Sequence, residues 1–259
     1  MIDFLLIALI SALGTHYVMP HSIRKLKENK IVAKDMYKLD MPSIPTNAGM
    51  IVLFTSFISI SIFPLVSRII NFFFNFNFLD ISETNLAILL VISIYAIYGL
   101  IDDLVDIGRT LKLILPICFS FPLISVIRPE ILFIPFYGDF MLSHYIYRDI
   151  QYGDIFRLVV IPLYVMVVSN LVNMHSGYNG LQSGLSIIIL TTLFIASWLD
   201  NTLSTITPFG SFLGAMLVFW KFNKYPSRVF EGNIGSLLFG SLIGSLIVSL
   251  EYWWFGFFI

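Results

Sequence analysis

Charge is what this sequence has least of. Only 12% of its 259 residues are Asp, Glu, Lys or Arg, about half the share of a soluble domain, so a water-surrounded globular fold is excluded. Cysteine is nearly absent. Cys118 stands alone, cannot form an internal disulfide, and in "LILPICFSFPL" reads as a small buried packing residue. There is no CxxC, HExxH or Walker A pattern, and no repeat of fixed period. Alternating segments of about ten residues, the mark of a transmembrane barrel, are also missing. Net charge is −1, which says little about partners, and no nucleic-acid partner is expected.

What the chain has is apolar length: 58% of residues are hydrophobic, in runs long enough to cross a hydrocarbon core of about 30 Å. The pattern predicts an all-α polytopic membrane helix bundle forming a single integral membrane domain over 1–259. About eight spans are expected, near 2–20, 48–67, 85–101, 112–127, 158–173, 181–199, 203–220 and 233–250. The start "MID" carries no basic n-region, so the first run reads as an uncleaved span rather than a signal peptide. Pro64, Pro116, Pro122, Pro162 and Pro208 fall inside these runs and predict kinks.

Basic residues set the sidedness. One set of loops holds Arg24, Lys25, Lys27, Lys30, Lys34, Lys38, Arg109, Lys112, Lys221, Lys224 and Arg228; the other holds Arg68, Arg128, Arg148 and Arg157. The positive-inside rule puts the richer set in the cytoplasm and both termini outside. Four polar, Gly- or Pro-marked segments then share the cytoplasmic face: "KDMYKLDMPSIPTNAG", "YGLIDDLVDIG", "NLVNMHSGYNGLQSG" and "NKYPSRVFEGNIGS".

Each has an ordinary structural explanation by itself; together on one surface they point to chemistry. Adjacent carboxylates at Asp102 and Asp103 repel, by about 4 kcal/mol at 4 Å for an effective dielectric near 20. A hard divalent cation relieves that, since Mg²⁺ takes one or two carboxylates plus phosphate oxygens and water. Gly108 is expected to break the helix and free Lys112 to reach the same pocket. Asn170, Asn173 and Asn179 offer amide oxygens, and Gly177, Gly180 and Gly184 let backbone approach a ligand. His175 reads as a solvated loop residue. Lys34 and Lys38 would attract a diphosphate, and Asn233 is a sound N-cap for the last span.

In this order the four segments resemble the polyprenyl-phosphate N-acetylhexosamine-1-phosphate transferases, closest to the archaeal and eukaryotic UDP-GlcNAc:dolichyl-phosphate branch. "DMYK" with "PSIPTNAG" resembles its Asp-x-x-Lys and Pro/Gly-containing start of the second span. "DDLVDIGRTLKLILP" is similar to its DD motif with a downstream lysine. "NMHSGYNGLQSG" resembles Asn-x-x-x-Gly-x-Asn-Gly-Leu, and "NKYPSRVFEGNIGS" resembles Asn-x-Tyr-Pro-(Ser/Ala)-(Arg/Lys)-Val-Phe-x-Gly-Asp. The resemblance implies a Mg²⁺-dependent (or Mn²⁺-dependent) enzyme at the cytoplasmic face of the cell membrane. It would transfer sugar-1-phosphate, with GlcNAc as the expected sugar, from a UDP-sugar to a polyprenyl or dolichyl phosphate. UMP is released in this first step of lipid-linked glycan assembly, as in N-glycosylation.

By motif match Asp102, Asp103 and Lys112 would be catalytic. Lys38, Asp106, Asn173, Gly177, Gly180 and Arg228 would bind substrate, and Asn179, Asn233 and Asp102 would hold the metal. A homodimer is compatible with the resemblance. Two departures stand out. Asn233 replaces the family's aspartate, so metal binding is expected to be weakened, with Glu231 able to compensate only if Gly232 turns the backbone. One apolar span follows the last motif, fewer than the resemblance implies. The competing expectations are a non-catalytic homologue that binds polyprenyl phosphate or nucleotide-sugar, and a small transporter with an ion site at Asp102 and Asp103. The transporter would need ionisable groups at the bilayer midplane, where the spans carry almost none.

Overall fold

The computed structural model describes residues 1–36, 38–74, 81–105, 107–134, 136–147 and 149–255, without the side chains of Phe74 and Arg109. Helix dominates, as an apolar chain in lipid requires, because every backbone N–H and C=O must be paired internally. Among the described residues seven helical stretches are long and apolar enough to span. These are Ile2–Glu28, Gly49–Phe73, Glu83–Val105, Tyr152–Gly177, Leu181–Leu199, Leu203–Asn223 and Gly232–Ser249. The expected eighth, 112–127, is a shorter apolar stretch, Thr110–Val126.

Helix α1 (Ile2–Glu28) runs well past residue 20, with Pro20 inside it and Lys25 and Lys27 in its last turn, where cations suit the helix dipole. Next come α2 (Gly49–Phe74) and α3 (Glu83–Val105), then α4 (Arg109–Phe119) and α5 (Phe121–Val126). Pro64 and Pro116 do lie within helices, whereas Pro122 occupies the first turn of α5. The break at Ser120 is stabilised from α3, whose Tyr95 hydroxyl donates to the Pro116 carbonyl at 2.8 Å. Pro162 likewise opens α7 (Ile161–Met174), which continues α6 (Tyr152–Ile155) through a π-turn at Phe156–Val160. Pro208 sits in a 3₁₀ turn between α9 (Leu203–Ile206) and α10 (Gly210–Asn223). Pro122 and Pro208 therefore start their segments, where the missing N–H costs nothing, while Pro162 follows the π-turn inside one continuous helical stretch, Tyr152–Gly177. Cys118 is exposed rather than buried, because α4 packs only one of its faces.

The order closes with α8 (Leu181–Leu199) and α11 (Gly232–Ser249). Helix α11 is the axis of the molecule: Ile234 to Val248 are all buried, and it packs on α3, α7, α2 and α8. Helices α1 and α10 form a second tight pair, with Gly214 against the Ala8 carbonyl. One contiguous apolar core runs through all of these helices.

Among the described residues three short antiparallel hairpins depart from the all-helical expectation. Strand β1 (Val32–Lys34) pairs with β2 (Ser43–Pro45), β3 (Ile131–Ile134) with β4 (Gly138–Met141), and β5 (Tyr145–Tyr147) with β6 (Ile150–Gln151). The first lies with the polar motifs. The others lie at the opposite end, where Trp254 donates to the Phe133 carbonyl and Tyr252 to Asp200.

Candidate active site

The site is built around the end of α3. The helix stops at Val105 and a new one starts after Gly108, as expected of that glycine. This reversal brings Lys112 back onto α3, its Nζ 2.9 Å from Asp102 Oδ1. Asp102 is 6% exposed, and its Oδ1 also accepts from the Ile107 N–H at 3.0 Å, inside the reversal itself. Its other oxygen accepts from Asn233 Nδ2 at 2.9 Å. Asp102 is thus a matched carboxylate: a lysine on one side, an amide on the other.

Asp103 faces the start of α11. Gly232 has φ +71, a left-handed turn that glycine adopts without strain, and it aims the first N–H groups of α11 at α3. Asp103 accepts from the N–H of Asn233 at 3.2 Å and of Ile234 at 3.4 Å. The cap of α11 therefore comes from another helix. Asn233 is not the N-cap: that position is Glu231, and no side chain of the segment itself caps the helix. A carboxylate at a helix N-terminus also meets the positive end of the dipole.

The β1–β2 hairpin and the start of α2 are tied to the same place. The Phe230 N–H donates to the Pro45 carbonyl at 2.8 Å, and the N–H groups of Ala48 and Gly49 donate to the carbonyls of Phe230 and Glu231 at 3.0 and 2.9 Å. Beyond the hairpin, Asp35 is buried and pairs with Lys38 at 2.9 Å. Asn179 Nδ2 donates to the same carboxylate at 3.2 Å. Lys38 also lies 5.2 Å from the centre of the Tyr225 ring.

The expected residues on the α7–α8 loop divide. Gly177 lines the cleft described below, and Asn173 keeps a buried Oδ1 without a hydrogen-bond partner. Asn170 instead donates to the Met166 carbonyl one turn back, a bond within its own helix. Gly180, with φ +75, packs 2.8 Å from the Lys224 Cα, measured from where its Cβ would be. Gly184 sits against Trp220, so both glycines admit protein rather than ligand. His175 bonds the Leu171 carbonyl. Arg228 is exposed, lies over the Phe222 ring at 5.2 Å and does not line the cleft. Asp106 lies outside the described residues.

These segments enclose a cleft of about 350 Å³ lined by Lys34, Asp35, Asp103, Gly177, Phe230, Glu231, Gly232 and Asn233. Residues from all four motif segments thus share one open space. Sequence reasoning did not place Asp35, Asn47 or Asn223 among the site residues, although each lies inside a quoted motif. Asn223 is the first residue of "NKYPSR"; it is buried, accepts from Ser183 at 2.6 Å and donates to Glu231 at 2.8 Å.

Glu231 is 3% exposed. Burial pushes its carboxyl up from 4.5 to about 7, against the pull of hydrogen bonds from its own backbone and from Asn223. An acid whose folded pKa exceeds its unfolded value holds the extra proton only when folded, so stability falls as pH rises between the two. Metal-free protein is accordingly expected to lose about 3 kcal/mol between pH 4.5 and pH 7 through this group, at ~1.4 kcal/mol per unit. Melting of chelated protein at pH 5 and pH 8 checks this. Glu231→Gln should flatten the dependence, and an identical drop in the variant would assign it to another group.

Which group could occupy the cleft follows from its donors. Asp35, Asp103 and Glu231 put carboxyl groups on its lining, and Asp103 receives only two long backbone bonds. Oxygen acceptors in excess of donors fit a hard cation. Among the described residues no group of three or more His, Cys, Asp or Glu is arranged to hold a metal, so amide oxygens would have to contribute.

The profile of glycosyl transferase family 4 matches residues 85–251, from α3 to just past α11. A Saccharolobus solfataricus protein, named for UDP-N-acetylglucosamine–dolichyl-phosphate N-acetylglucosaminephosphotransferase activity, is 32% identical over 230 residues, 86% of this chain and 64% of its own length. A Sulfolobus acidocaldarius protein of the same name is 29% identical, again over 86% of this chain and 64% of its own. A phospho-N-acetylmuramoyl-pentapeptide-transferase of Streptococcus pyogenes is 27% identical over 96% of this chain and 74% of its own. The chain therefore spans somewhat less than two thirds of the length of the two archaeal relatives. The matched stretch contains the carboxylate pair, its lysine and the capped start of α11, and on that ground the chain belongs to glycosyl transferase family 4.

Proposed function

We propose that the chain transfers N-acetylglucosamine-1-phosphate from a UDP-sugar to a polyprenyl phosphate of the dolichyl type, releasing UMP at the cytoplasmic face of the cell membrane. The observation that carries the reading is the convergence of four distant polar segments on one cleft, at one end of an otherwise apolar bundle. An anionic nucleotide from water and a lipid headgroup from the bilayer can meet only at such a boundary. The archaeal relatives' names supply the sugar and the acceptor.

In this reaction an oxygen of the lipid phosphate attacks the β-phosphorus of the UDP-sugar. The bond from that phosphorus to the oxygen bridging the two phosphates breaks, and UMP leaves with the electron pair. Such transfers need positioning and charge neutralisation more than covalent help. Lys34 at the rim attracts phosphate, and Lys38 is held by Asp35, itself on the cleft lining. Lys112 brings positive charge to the carboxylate pair, while Asp102 fixes both Lys112 and Asn233. Phe230 lines the cleft, and an aromatic side chain there would give a base a surface to stack against. Mg²⁺, when bound, would neutralise diphosphate charge. The residues expected to hold it, Asp102, Asn179 and Asn233, are each engaged in a hydrogen bond to a neighbour, the two amides through nitrogen.

The test is UMP release by the full chain in lipid nanodiscs, with UDP-GlcNAc, polyprenyl phosphate and Mg²⁺. Turnover should need all three and should be lost in Asp102→Ala. A folded wild type that binds UDP-GlcNAc but releases no UMP would support a second reading, a non-catalytic binding homologue. Asn233 favours that reading, since its amide already satisfies Asp102 without a metal. Asn233→Asp would set a carboxylate where a nitrogen now lies 2.9 Å from Asp102. Metal-free protein should then melt earlier, and half-maximal rate should need about tenfold less Mg²⁺, a ~1.4 kcal/mol gain. A rate unchanged or lowered across the Mg²⁺ titration would count against this.

A further inference from the structure

The end of the bundle away from the cleft carries a second polar cavity. The apolar stretch Thr110–Val126 starts just after the Asp102–Asp103 pair, and the stretch Tyr152–Gly177 ends on the cleft lining. Residues that follow the first and open the second therefore lie one span away. There a cavity of about 390 Å³ is lined by Arg128, Glu130, Leu142, Gly153 and Arg157, among others. Only four basic residues of the chain fall outside the basic-rich loops, and two of them meet here.

Backbone bonds between separate segments fix its walls. The Leu142 N–H donates to the Glu130 carbonyl at 2.9 Å, and the Gly153 N–H to the Leu142 carbonyl at 2.7 Å. A Cβ on Gly153 would lie 3.2 Å from that same oxygen, so α6 packs closely on residue 142. Arg157 is oriented from its own helix: Nε donates to the Gly153 carbonyl at 3.3 Å and one terminal nitrogen donates to Asp154. A guanidinium has five N–H donors, so its other terminal nitrogen keeps two. Among the described residues no ion pair or hydrogen bond engages the side chains of Arg128 or Glu130. Burial and the nearby Glu130 charge together push the Glu251 carboxyl up, so Glu130 meets a second acid rather than a cation. Asp154 balances Arg157, whereas Arg128 and Glu130 are opposite charges left apart in one cavity. A simple anion would be drawn by one and repelled by the other. A ligand carrying both signs matches both.

We propose that this cavity binds a phosphate that carries an ammonium group, the chemistry of a phosphoethanolamine headgroup, with the phosphate on Arg128 and Arg157 and the ammonium on Glu130. Guanidinium forks suit phosphate oxygens, and an ammonium suits a carboxylate. The surroundings fit the depth of a lipid headgroup. The Tyr152 ring packs on Phe140 at 5.2 Å, Trp253 on Phe156 at 4.9 Å, and the Tyr164 hydroxyl donates to the Trp253 carbonyl at 3.0 Å. Tyrosine and tryptophan gather at the boundary between hydrocarbon and water. The site stands apart from the cleft and does not depend on the transferase reading. A ligand held here bridges α6 to the chain that follows α5, so binding is expected to register as stability.

The full chain in detergent, titrated with phosphatidylethanolamine and with phosphatidylglycerol of the same acyl chains, tests this by native mass spectrometry and by melting. Wild type should hold the ethanolamine lipid about tenfold more tightly, the scale of one charge-assisted bond, and should melt higher with it. Glu130→Gln should bind both lipids without preference, and Arg128→Gln should weaken both by about tenfold. Both side chains are exposed, so neither change should lower the melting of the lipid-free chain, and UMP release should be the same in both variants as in wild type. Soluble O-phosphoethanolamine distinguishes the source. Protection by it in the absence of lipid supports the site as one for a free solute, and protection by the lipid alone supports it as a headgroup site. Equal affinity of wild type for the two lipids, a preference that survives Glu130→Gln, or undiminished binding in Arg128→Gln overturns the proposal.

Discussion

Asp103→Ala is expected to lower kcat for UMP release by about 10²–10³-fold, the range seen when one preorganised electrostatic contact is removed from a reacting phosphate or oxyanion. The side chain does two things that can be separated. It caps α11 through the N–H groups of Asn233 and Ile234, a role worth about 1 kcal/mol of stability. It also brings negative charge into the cleft without a lysine of its own. Asp103→Asn keeps an oxygen acceptor for the cap and loses the charge. If charge is the larger contribution, Asn should melt close to wild type and still lose most of its turnover, whereas Ala should lose both. A kcat within threefold of wild type for either variant would remove Asp103 from the chemistry. Asp102→Ala should differ in kind, because it removes the buried carboxylate that Lys112 and Asn233 share, so its melting temperature should fall as well.

The carboxylate pair was legible because charge is so rare in this chain that two adjacent aspartates at the end of an apolar run stand out. Gly108 and Lys112 followed from the same short stretch, since a helix break and a reversal need only local rules. The bonds between segments were not legible. That Asp103 caps a helix 130 residues away depends on where α3 and α11 cross, which no local pattern encodes. Asn233 read as a cap from its own propensity, but Gly232 turns the chain so that another helix provides the acceptor. Arg228 and Gly180 were placed at the ligand because motifs mark positions without giving directions. One points its guanidinium over Phe222, and the other leaves room for the backbone of Lys224. The outer hairpins were missed because their strands are short and nearly all apolar, without the polar–apolar alternation that marks a half-buried strand.

Gly99→Ala should be among the most damaging single changes in the protein, although it adds one methyl group. Residue 99 is the contact point of α3 with the start of α11. A Cβ there would lie 2.5 Å from the Asn233 carbonyl oxygen, 2.6 Å from its carbon and 2.7 Å from the Ile234 Cα. All three are backbone atoms, so no side chain can rotate away and the helices must separate. Alanine gains about 0.5–1 kcal/mol of helix propensity over glycine, while overpacking costs typically 1–3 kcal/mol, so the net effect is destabilising. The functional effect should be larger than the thermodynamic one. Displacing α11 by even an ångström shifts Asn233 and Glu231 relative to Asp102 and Asp103, and misplacement on that scale can cost about 10²-fold in rate. Gly214→Ala gives the comparison, since its Cβ would lie 1.9 Å from the Ala8 carbonyl oxygen, between α1 and α10 and away from the cleft. Both variants should melt earlier than wild type, but per folded molecule only Gly99→Ala should lose turnover. If both lost kcat in proportion to stability alone, the contact of α3 with α11 would be holding the bundle together without setting the geometry of the site.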